Sequence, residues 1–252
     1  LSIDNEIRKK ITVIEVDFLD PPVEGLFPTD IDAAYYLIHS MSSSITNFDT
    51  LEATAARNFN SYMEGVRPRQ VIYLSGMVNT EKLSKHLSSR KNVEEILGEG
   101  PFSLTALRAG IIVGSGSASF EIIRDLCEKL PIMITPKWVK TRCQPIAIRN
   151  VLQYLTGVIG REDCMGETFD IGGPDVLTYK EMMQGYAKVR KLRLVILDVP
   201  IMSPKLSSYW LYFVTSTSYT LALNLVDSMK VEVITADRRL EELLGIKPIR
   251  YE

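Results

Sequence analysis

Four short runs rich in apolar residues stand out along the chain. They cover residues 11–16, 31–38, 70–75 and 102–108, and longer polar or amphipathic segments separate them. Runs of this length, apolar on both sides of the chain, are typical of strands that are buried in a parallel sheet. The sequence therefore predicts strands at these four places.

The segments between these runs have helical periodicity. Residues 46–64 carry an apolar stripe at helical spacing, and residues 117–130 carry another, behind a serine suited to cap a helix. The tail 236–245 has a shorter helical pattern that Gly245 and Pro248 close. Strands that alternate with amphipathic helices predict an α/β fold, with helices on both faces of a parallel sheet.

Composition narrows the class of protein. With 252 residues and 46% apolar content, the chain can bury a sizeable core as one large domain or as a domain with a small cap. A formal net charge of −2, from 29 basic and 31 acidic residues, gives no footprint for nucleic acid. Only two histidines are present, which excludes a histidine-rich metal site, and no metal is expected. Three scattered cysteines without a CxxC pair favour a reducing compartment, so we expect a cytoplasmic protein.

Residues 206–226 contain no charge and are long enough to cross a bilayer. Eight of them are serine, threonine or asparagine, however, and this composition favours a buried or interface helix over a membrane span. We therefore expect no transmembrane span. A peripheral contact, or a lid over an apolar ligand, is the alternative role for this segment.

The stretch from 70 to 97 carries the candidate chemistry. Its strand ends at Ser75, and His86 and Arg90 follow on a predicted helix, four residues apart and therefore on one face. Histidine has an unperturbed pKa of about 6.5 and can transfer a proton near neutral pH. Arginine stays protonated, so it can bind a hydroxyl or a phosphate but cannot relay a proton. The alternative is that His86 and Arg90 are ordinary residues of an exposed helix.

This arrangement resembles the active-site pattern of the short-chain dehydrogenases, in which a serine at a strand end is followed by a tyrosine and, four residues later, a lysine. His86 stands in the tyrosine position and Arg90 in the lysine position. Further similarity to an atypical branch, which is nucleoside-diphosphate-sugar epimerase-like and NmrA-like, lies in YYLIHSM (35–41), TRCQPI (141–146) and TFDIGGP (168–174). The resemblance implies a doubly wound, Rossmann-like sheet that binds NADP or NAD and a small-molecule substrate.

The same resemblance implies a set of residues around the cofactor. Asp17 would accept a hydrogen bond from the adenine amino group, with Phe18 beside the ring, although Asp17 could instead cap a turn. The loop after the strand at 31–38 would line the cofactor, and the loop after the strand at 102–108 would pass the nicotinamide carboxamide. The residues in these two loops are Leu37, Ile38 and His39, and Arg108, Ala109, Gly110 and Ile111.

The sequence contains no strand followed by G-x-x-G-x-x-G and a helix, the unit that binds the pyrophosphate in this fold. Its first predicted strand corresponds to the third strand of the family. We therefore expect that about forty further residues precede Leu1 and supply a central strand and the phosphate loop. Residues 1–130 are expected to form an N-terminally incomplete NAD(P)-binding domain, and residues 131–252 a smaller substrate or cap region interleaved with the same core.

Two functions fit this sequence. The first is an NAD(P)-dependent oxidoreductase or epimerase, in which Ser75 orients a carbonyl or hydroxyl, His86 donates a proton and Arg90 binds the ribose or phosphate. The second is a non-catalytic NAD(P)-binding sensor or assembly protein on the same fold. Loss of the tyrosine and the lysine favours the second function, whereas the serine and a titratable residue in the tyrosine position favour the first. The substrate, the choice of NAD or NADP and the oligomeric state are not encoded in any motif.

Overall fold

The computed structural model describes residues 4–39, 48–77, 85–198 and 228–252. In chain order its helices are α1 (Asn5–Arg8), α2 (Phe48–Val66), α3 (Lys85–Gly98), α4 (Ala118–Lys129), α5 (Ile148–Gly157), α6 (Tyr179–Val189) and α7 (Arg239–Leu244). Its strands are β1 (Ala33–Tyr36), β2 (Gln70–Gly76), β3 (Ser103–Ala109), β4 (Ile112–Val113), β5 (Ile132–Thr135), β6 (Arg142–Cys143), β7 (Ile146–Ala147), β8 (Thr168–Ile171), β9 (Leu177–Thr178) and β10 (Val195–Asp198).

The centre of the fold is a four-stranded parallel sheet in the order β1–β2–β3–β8. In its register Tyr36 lies opposite Tyr73, and Ser75 lies opposite Arg108. All four strands point the same way, so their carboxyl ends meet at one edge, where open α/β sheets bind ligands. The predicted α/β fold with a parallel sheet is confirmed.

Helices cover both faces of this sheet because successive side chains of a strand point to opposite faces. Val71 and Tyr73 of β2 pack with α2 and α3 on one face. Ile72 of β2 and Leu107 of β3 pack with α5 and α7 on the other face. The strands are therefore apolar on both sides, as the uninterrupted apolar runs predicted.

The C-terminal half adds a second core around α4 and α6. Three small sheets surround it, namely the parallel pairs β5–β10 and β4–β7 and the antiparallel pair β6–β9. β8 comes from the same half of the chain but completes the main sheet. The two halves are thus joined through one continuous set of strands.

The predicted strand at residues 11–16 is wrong. This segment belongs to no strand, and its side chains are mostly exposed, with Val13 87% exposed. A strand exists only where its backbone pairs with a neighbour, and no described strand lies beside this segment. An apolar run alone is therefore not enough to predict a strand. Only Val16 and the following Phe18 pack, against the core formed by α2 and α3.

The predicted helix ends are close to those observed. Ser117 caps α4 by accepting the backbone N–H of Phe120, and Gly245 ends α7 in the left-handed conformation with φ of 64°. The helix predicted at 46–64 is observed as Phe48–Val66. Residues 206–226 lie outside the described residues. Within the ranges the structure describes, no helix has the length and apolarity to cross a membrane.

Candidate functional site

Ser75 lies at the carboxyl edge of the main sheet, one residue before the end of β2. Only 5% of the residue is exposed, and its Oγ is buried with no hydrogen-bond partner. A buried hydroxyl without a partner costs about 1–3 kcal/mol of stability, so it calls for an explanation. Its place at the ligand-binding edge of the sheet makes Ser75 a candidate contact for a bound molecule.

Arg90 reaches the same edge from α3. The last residue of β2, Gly76, is so close to this helix that an added Cβ would lie 3.1 Å from Leu87 Cδ2 and 3.9 Å from Arg90 Cγ. The Arg90 guanidinium donates a long hydrogen bond of 3.5 Å to the Tyr73 hydroxyl. Arg90 is 9% exposed, and among the described residues no carboxylate lies within ion-pairing distance of it. Its guanidinium therefore keeps donors for a ligand.

Tyr73 joins Ser75 and Arg90. Its hydroxyl donates to the backbone carbonyl of Arg90 at 3.5 Å while it accepts from the guanidinium. Burial raises the pKa of the Tyr73 phenol, and Arg90 and Ser75 act in the opposite direction. Ser75 therefore lies near this phenol, although its Oγ completes no hydrogen bond there. The structure brings Ser75 and Arg90 together around one buried tyrosine.

Glu52 holds the two helices on this face together. The Ser89 hydroxyl of α3 donates to Glu52 Oε2 of α2 at 2.6 Å, and both residues are buried. Burial, followed by Tyr73 and Glu52, raises the pKa of the Tyr36 phenol above its ordinary value, and Arg90 opposes them. The Glu52 carboxylate and the Arg90 guanidinium therefore have opposite effects on the pKa of the same phenol.

His39, predicted only as a lining residue, follows β1 by three positions and joins the same electrostatic neighbourhood. The residue is exposed as a whole, although protein atoms partly desolvate its imidazole. This partial burial, and after it the Arg90 guanidinium, lower the pKa of the imidazole, whereas Glu52 raises it. Of the two neighbours predicted to line the cofactor, Leu37 is 55% exposed and Ile38 packs partly against α2.

The predicted proton donor, His86, lies in α3 one helical turn before Arg90. Its side chain lies outside the described residues. The structure therefore brings together two members of the predicted catalytic group, Ser75 and Arg90, and the convergence of His86 with them stays a prediction.

The end of β3 is packed against protein. Arg108 makes a bidentate ion pair with Glu94 of α3, at 3.0 Å and 2.6 Å, and this pair raises the pKa of the guanidinium. Gly110 has little free space, because an added Cβ would lie 3.1 Å from Val233 Cγ1. The buried Ala109 and Ile111 belong to the cores on either side. Arg108 is thus committed to a structural contact, which the resemblance did not predict.

Sequence reasoning missed the role of Gln144. This buried side chain donates from Nε2 to the Gly173 carbonyl at 2.6 Å, and its Oε1 accepts the Thr235 N–H at 2.9 Å. Its backbone N–H also donates to the Val233 carbonyl at 3.0 Å. One amide therefore joins three segments next to the carboxyl edge of the sheet. The only signal was that Gln144 and Gly173 fall in two of the motifs that carry the resemblance.

Asp17 and Phe18 lie elsewhere. Asp17 Oδ1 accepts the Leu19 N–H at 2.9 Å, which is the turn-capping alternative, and Phe18 packs among the rings of Phe27, Phe59 and Tyr62. The Phe18 carbonyl accepts from Asn58, six residues beyond Glu52 in α2. Six helical residues span about 9 Å, so Phe18 is well separated along the helix from the Ser89 contact.

Two surface cavities occur away from this edge. One, of about 480 Å³, lies between α6 and the end of the chain, where Arg250 pairs with Asp175 at 2.8 Å. The other, of about 580 Å³, lies between the loop at 22–29 and the end of α2. Neither of these two cavities is lined by Ser75 or Arg90.

Comparison with known proteins places the fold. No protein-family model matches the chain. No curated protein matches it either. Among solved structures, a nucleoside-diphosphate-sugar epimerase from Staphylococcus aureus is 12% identical, with a TM-score of 0.73 over 99% of this chain and 85% of that chain. The NADPH-dependent quinone oxidoreductase of Escherichia coli, solved with NADPH, is 16% identical, with a TM-score of 0.75 over 97% and 82% of the two chains.

A third similar structure is the triphenylmethane reductase of a Citrobacter species, solved with NADP(H). It is 13% identical, with a TM-score of 0.69 over 89% of this chain and 75% of that chain. The chain therefore has the Rossmann-like fold of NAD(P)-binding epimerases and reductases, as the resemblance predicted. At identities this low the likeness concerns the fold, and the reaction has to be argued from the site.

Proposed function

We propose that this protein binds NADP or NAD and acts as an oxidoreductase or epimerase on a small molecule. The observation that carries the proposal is the pair formed by Ser75 and Arg90. Ser75 Oγ is buried without a partner, and Arg90 is buried without a carboxylate among the described residues. Both lie at the edge of the sheet where this fold binds its ligands, and similar structures have been solved with NADPH or NADP(H).

These two residues fit the nicotinamide and ribose half of a dinucleotide. The guanidinium presents several N–H donors to ribose hydroxyls or phosphate, and the serine hydroxyl can donate to a carbonyl and accept from a hydroxyl. Bound nicotinamide would supply or accept the hydride. Tyr73 and the contact between Glu52 and Ser89 hold α3 against the strand end, which fixes where Arg90 stands.

In the proposed reaction Ser75 orients the reacting carbonyl or hydroxyl and His86 exchanges its proton. Arg90 takes no part in proton transfer because its guanidinium stays charged. It acts instead in the ground state, as a clamp on the cofactor. Loss of Arg90 should therefore weaken binding, whereas loss of His86 should affect turnover alone.

The test is titration of the protein with NADPH and NADH, followed by assays of hydride transfer to carbonyl substrates. We expect one dinucleotide to bind, Arg90→Met to weaken its binding by about tenfold or more, and Arg149→Met, an exposed arginine on α5, to leave it unchanged. We expect His86→Ala to abolish turnover with nearly unchanged affinity. Binding of neither dinucleotide would overturn the proposal.

The second candidate function is a non-catalytic NAD(P)-binding sensor or assembly protein. It is favoured by the loss of both the tyrosine and the lysine, because the arginine in the lysine position can bind a cofactor but cannot assist proton transfer. This function predicts tight dinucleotide binding without turnover of any carbonyl substrate. It also predicts that His86→Ala leaves dinucleotide affinity unchanged and has no turnover to abolish, which separates the two candidates.

A further inference from the structure

The small sheet of β5 and β10 is apolar on both of its faces. Its strands are parallel, with Val195 opposite Ile132 and Leu197 opposite Ile134. The side chains between them point into the C-terminal core. A sheet that faces water normally carries polar residues on that side. Here the outer side carries four aliphatic residues that are 50–63% exposed, namely Ile132, Ile134, Val195 and Leu197. We call these four side chains the β5–β10 face.

Two unpaired cations continue this face. Lys191 and Arg193 precede β10. Every second residue from Lys191 to Leu197 is exposed, whereas Leu192 and Leu194 pack against the C-terminal core. No described carboxylate forms an ion pair with either cation. The nearby Lys188, Arg190 and Lys129 form ion pairs instead, with Glu252, Glu128 and Asp125 respectively. Positive charge beside the β5–β10 face is therefore not neutralised by the described protein, in a chain of net charge −2.

Lys191 also has an unusual backbone. It follows α6 with φ of 56°, and the next residue, Leu192, donates its N–H back to the Ala187 carbonyl to close the helix. Glycine is the least strained residue in this left-handed position. The chain has an exposed lysine there instead, in the turn that leads into β10.

The shape of this surface restricts what can bind to it. It is the flat side of a two-stranded sheet and lines neither of the cavities described above. A stable protein interface buries roughly 800 Å² on each partner, which is far more than four half-exposed aliphatic side chains offer. A lipid bilayer has no such minimum, because each inserted aliphatic side chain and each cation near an anionic surface contributes separately.

We propose that the β5–β10 face, together with Lys191 and Arg193, docks the protein reversibly on the surface of an anionic lipid bilayer. The aliphatic side chains enter the interfacial layer, and the two cations lie against the headgroups. With only two cations and four aliphatic side chains, the contact with the bilayer is weak and is lost at high ionic strength. It is independent of the proposed dinucleotide site, which lies at the carboxyl edge of the main sheet.

The test is co-sedimentation of the protein with vesicles of phosphatidylcholine and phosphatidylserine, and with vesicles of phosphatidylcholine alone. We expect binding to the anionic vesicles that falls as salt is added. Lys191→Gln with Arg193→Gln should lower the partition coefficient by about tenfold or more. Ile134→Ser with Leu197→Ser should lower it as well, at every salt concentration, because it removes apolar anchors.

Matched controls change two cations and two aliphatic residues elsewhere on the surface. Arg57→Gln with Arg149→Gln removes two exposed arginines of α2 and α5, and Leu152→Ser with Ile159→Ser removes two exposed aliphatic residues that are 54% and 45% exposed. Both control proteins should sediment like the unmodified one. The glutamine pair on the proposed surface keeps the test valid if the serine pair fails to fold, since surface cations rarely decide stability.

Three results would overturn the proposal. The first is that the unmodified protein does not co-sediment with anionic vesicles. The second is that it binds them and both test pairs bind equally well, which would assign binding to another segment. The third is that the protein self-associates at micromolar concentration, in sedimentation velocity, and that Ile134→Ser with Leu197→Ser abolishes this, which would make the β5–β10 face a contact between two copies.

Discussion

Gln144 shows how one side chain can connect segments that lie far apart in sequence. Its side-chain amide donates a hydrogen bond to the Gly173 carbonyl and accepts one from the Thr235 N–H. An amide supplies a donor and an acceptor on the same planar group, which no hydrophobic residue of that size can do. The residue has a structural task beside the candidate site, although no pattern of periodicity marks it.

We predict that Gln144→Leu destabilises the protein by about 2–4 kcal/mol, because it leaves the buried Gly173 carbonyl and the partly buried Thr235 N–H without partners. Urea unfolding followed by circular dichroism would measure this loss. Gln184→Leu, at an exposed position of α6, is the matched control and should change stability by less than about 0.5 kcal/mol. Equal effects of the two substitutions would show that the amide contacts contribute nothing.

The candidate site was predictable only in part, for a physical reason. The end of a strand and the face of a helix follow from local periodicity, so Ser75 and Arg90 could be named from the sequence. The partner of Arg90 is Tyr73, which lies in a different element, and contacts between elements depend on how those elements pack. Burial of Ser75 Oγ without a partner, and the pairing of Arg108 with Glu94, were unpredictable for the same reason.

Strands and helices were predicted best where their neighbours lie within the described chain. β2 and β3 are flanked by strands on both sides, and their apolar runs became strands as predicted. Residues 11–16 have an equally apolar run but pair with no described strand. Sheet formation depends on a neighbour that is distant in sequence, and no local pattern reports whether that neighbour is present.

Close packing between elements gives a prediction that compares two glycines. An added Cβ at Gly173 would lie 2.0 Å from the Pro145 carbonyl oxygen, whereas at Gly65 in α2 it would meet nothing within 4 Å. We expect Gly173→Ala to cost about 3 kcal/mol or more, because a backbone atom cannot move aside as a side chain can. Gly65→Ala should stabilise by about 0.5–1 kcal/mol, because alanine restricts the unfolded chain and favours a helix.

Thermal unfolding of the two variants beside the unmodified protein would check both signs. A common loss of stability would mean that glycine matters at both positions for backbone freedom. A Gly173→Ala protein as stable as the unmodified one would mean that the loop after β8 does not pack closely against Pro145.

The protein as a whole combines one well-buried sheet with smaller, more exposed ones. The candidate site stands on β2, where Val71, Ile72 and Tyr73 are fully buried and helices cover both faces. A site on such a strand keeps its geometry, because local opening of the strand requires exposure of the core. The proposed lipid contact uses a two-stranded sheet at the periphery, which has one exposed face.

This difference predicts how fast backbone amides exchange with solvent. Peptides that cover Gln70–Gly76 and Ser103–Ala109 should exchange slowest, because their hydrogen bonds open only when most of the structure unfolds. Peptides that cover Ile132–Thr135 and Val195–Asp198 should exchange at least about tenfold faster, because this sheet has only two strands and one of its faces is already exposed. Hydrogen–deuterium exchange read by mass spectrometry would compare them in one experiment. Equal protection of both sheets would show that the protein opens as a single cooperative unit, and that the outer sheet is as firmly held as the strand that carries Ser75.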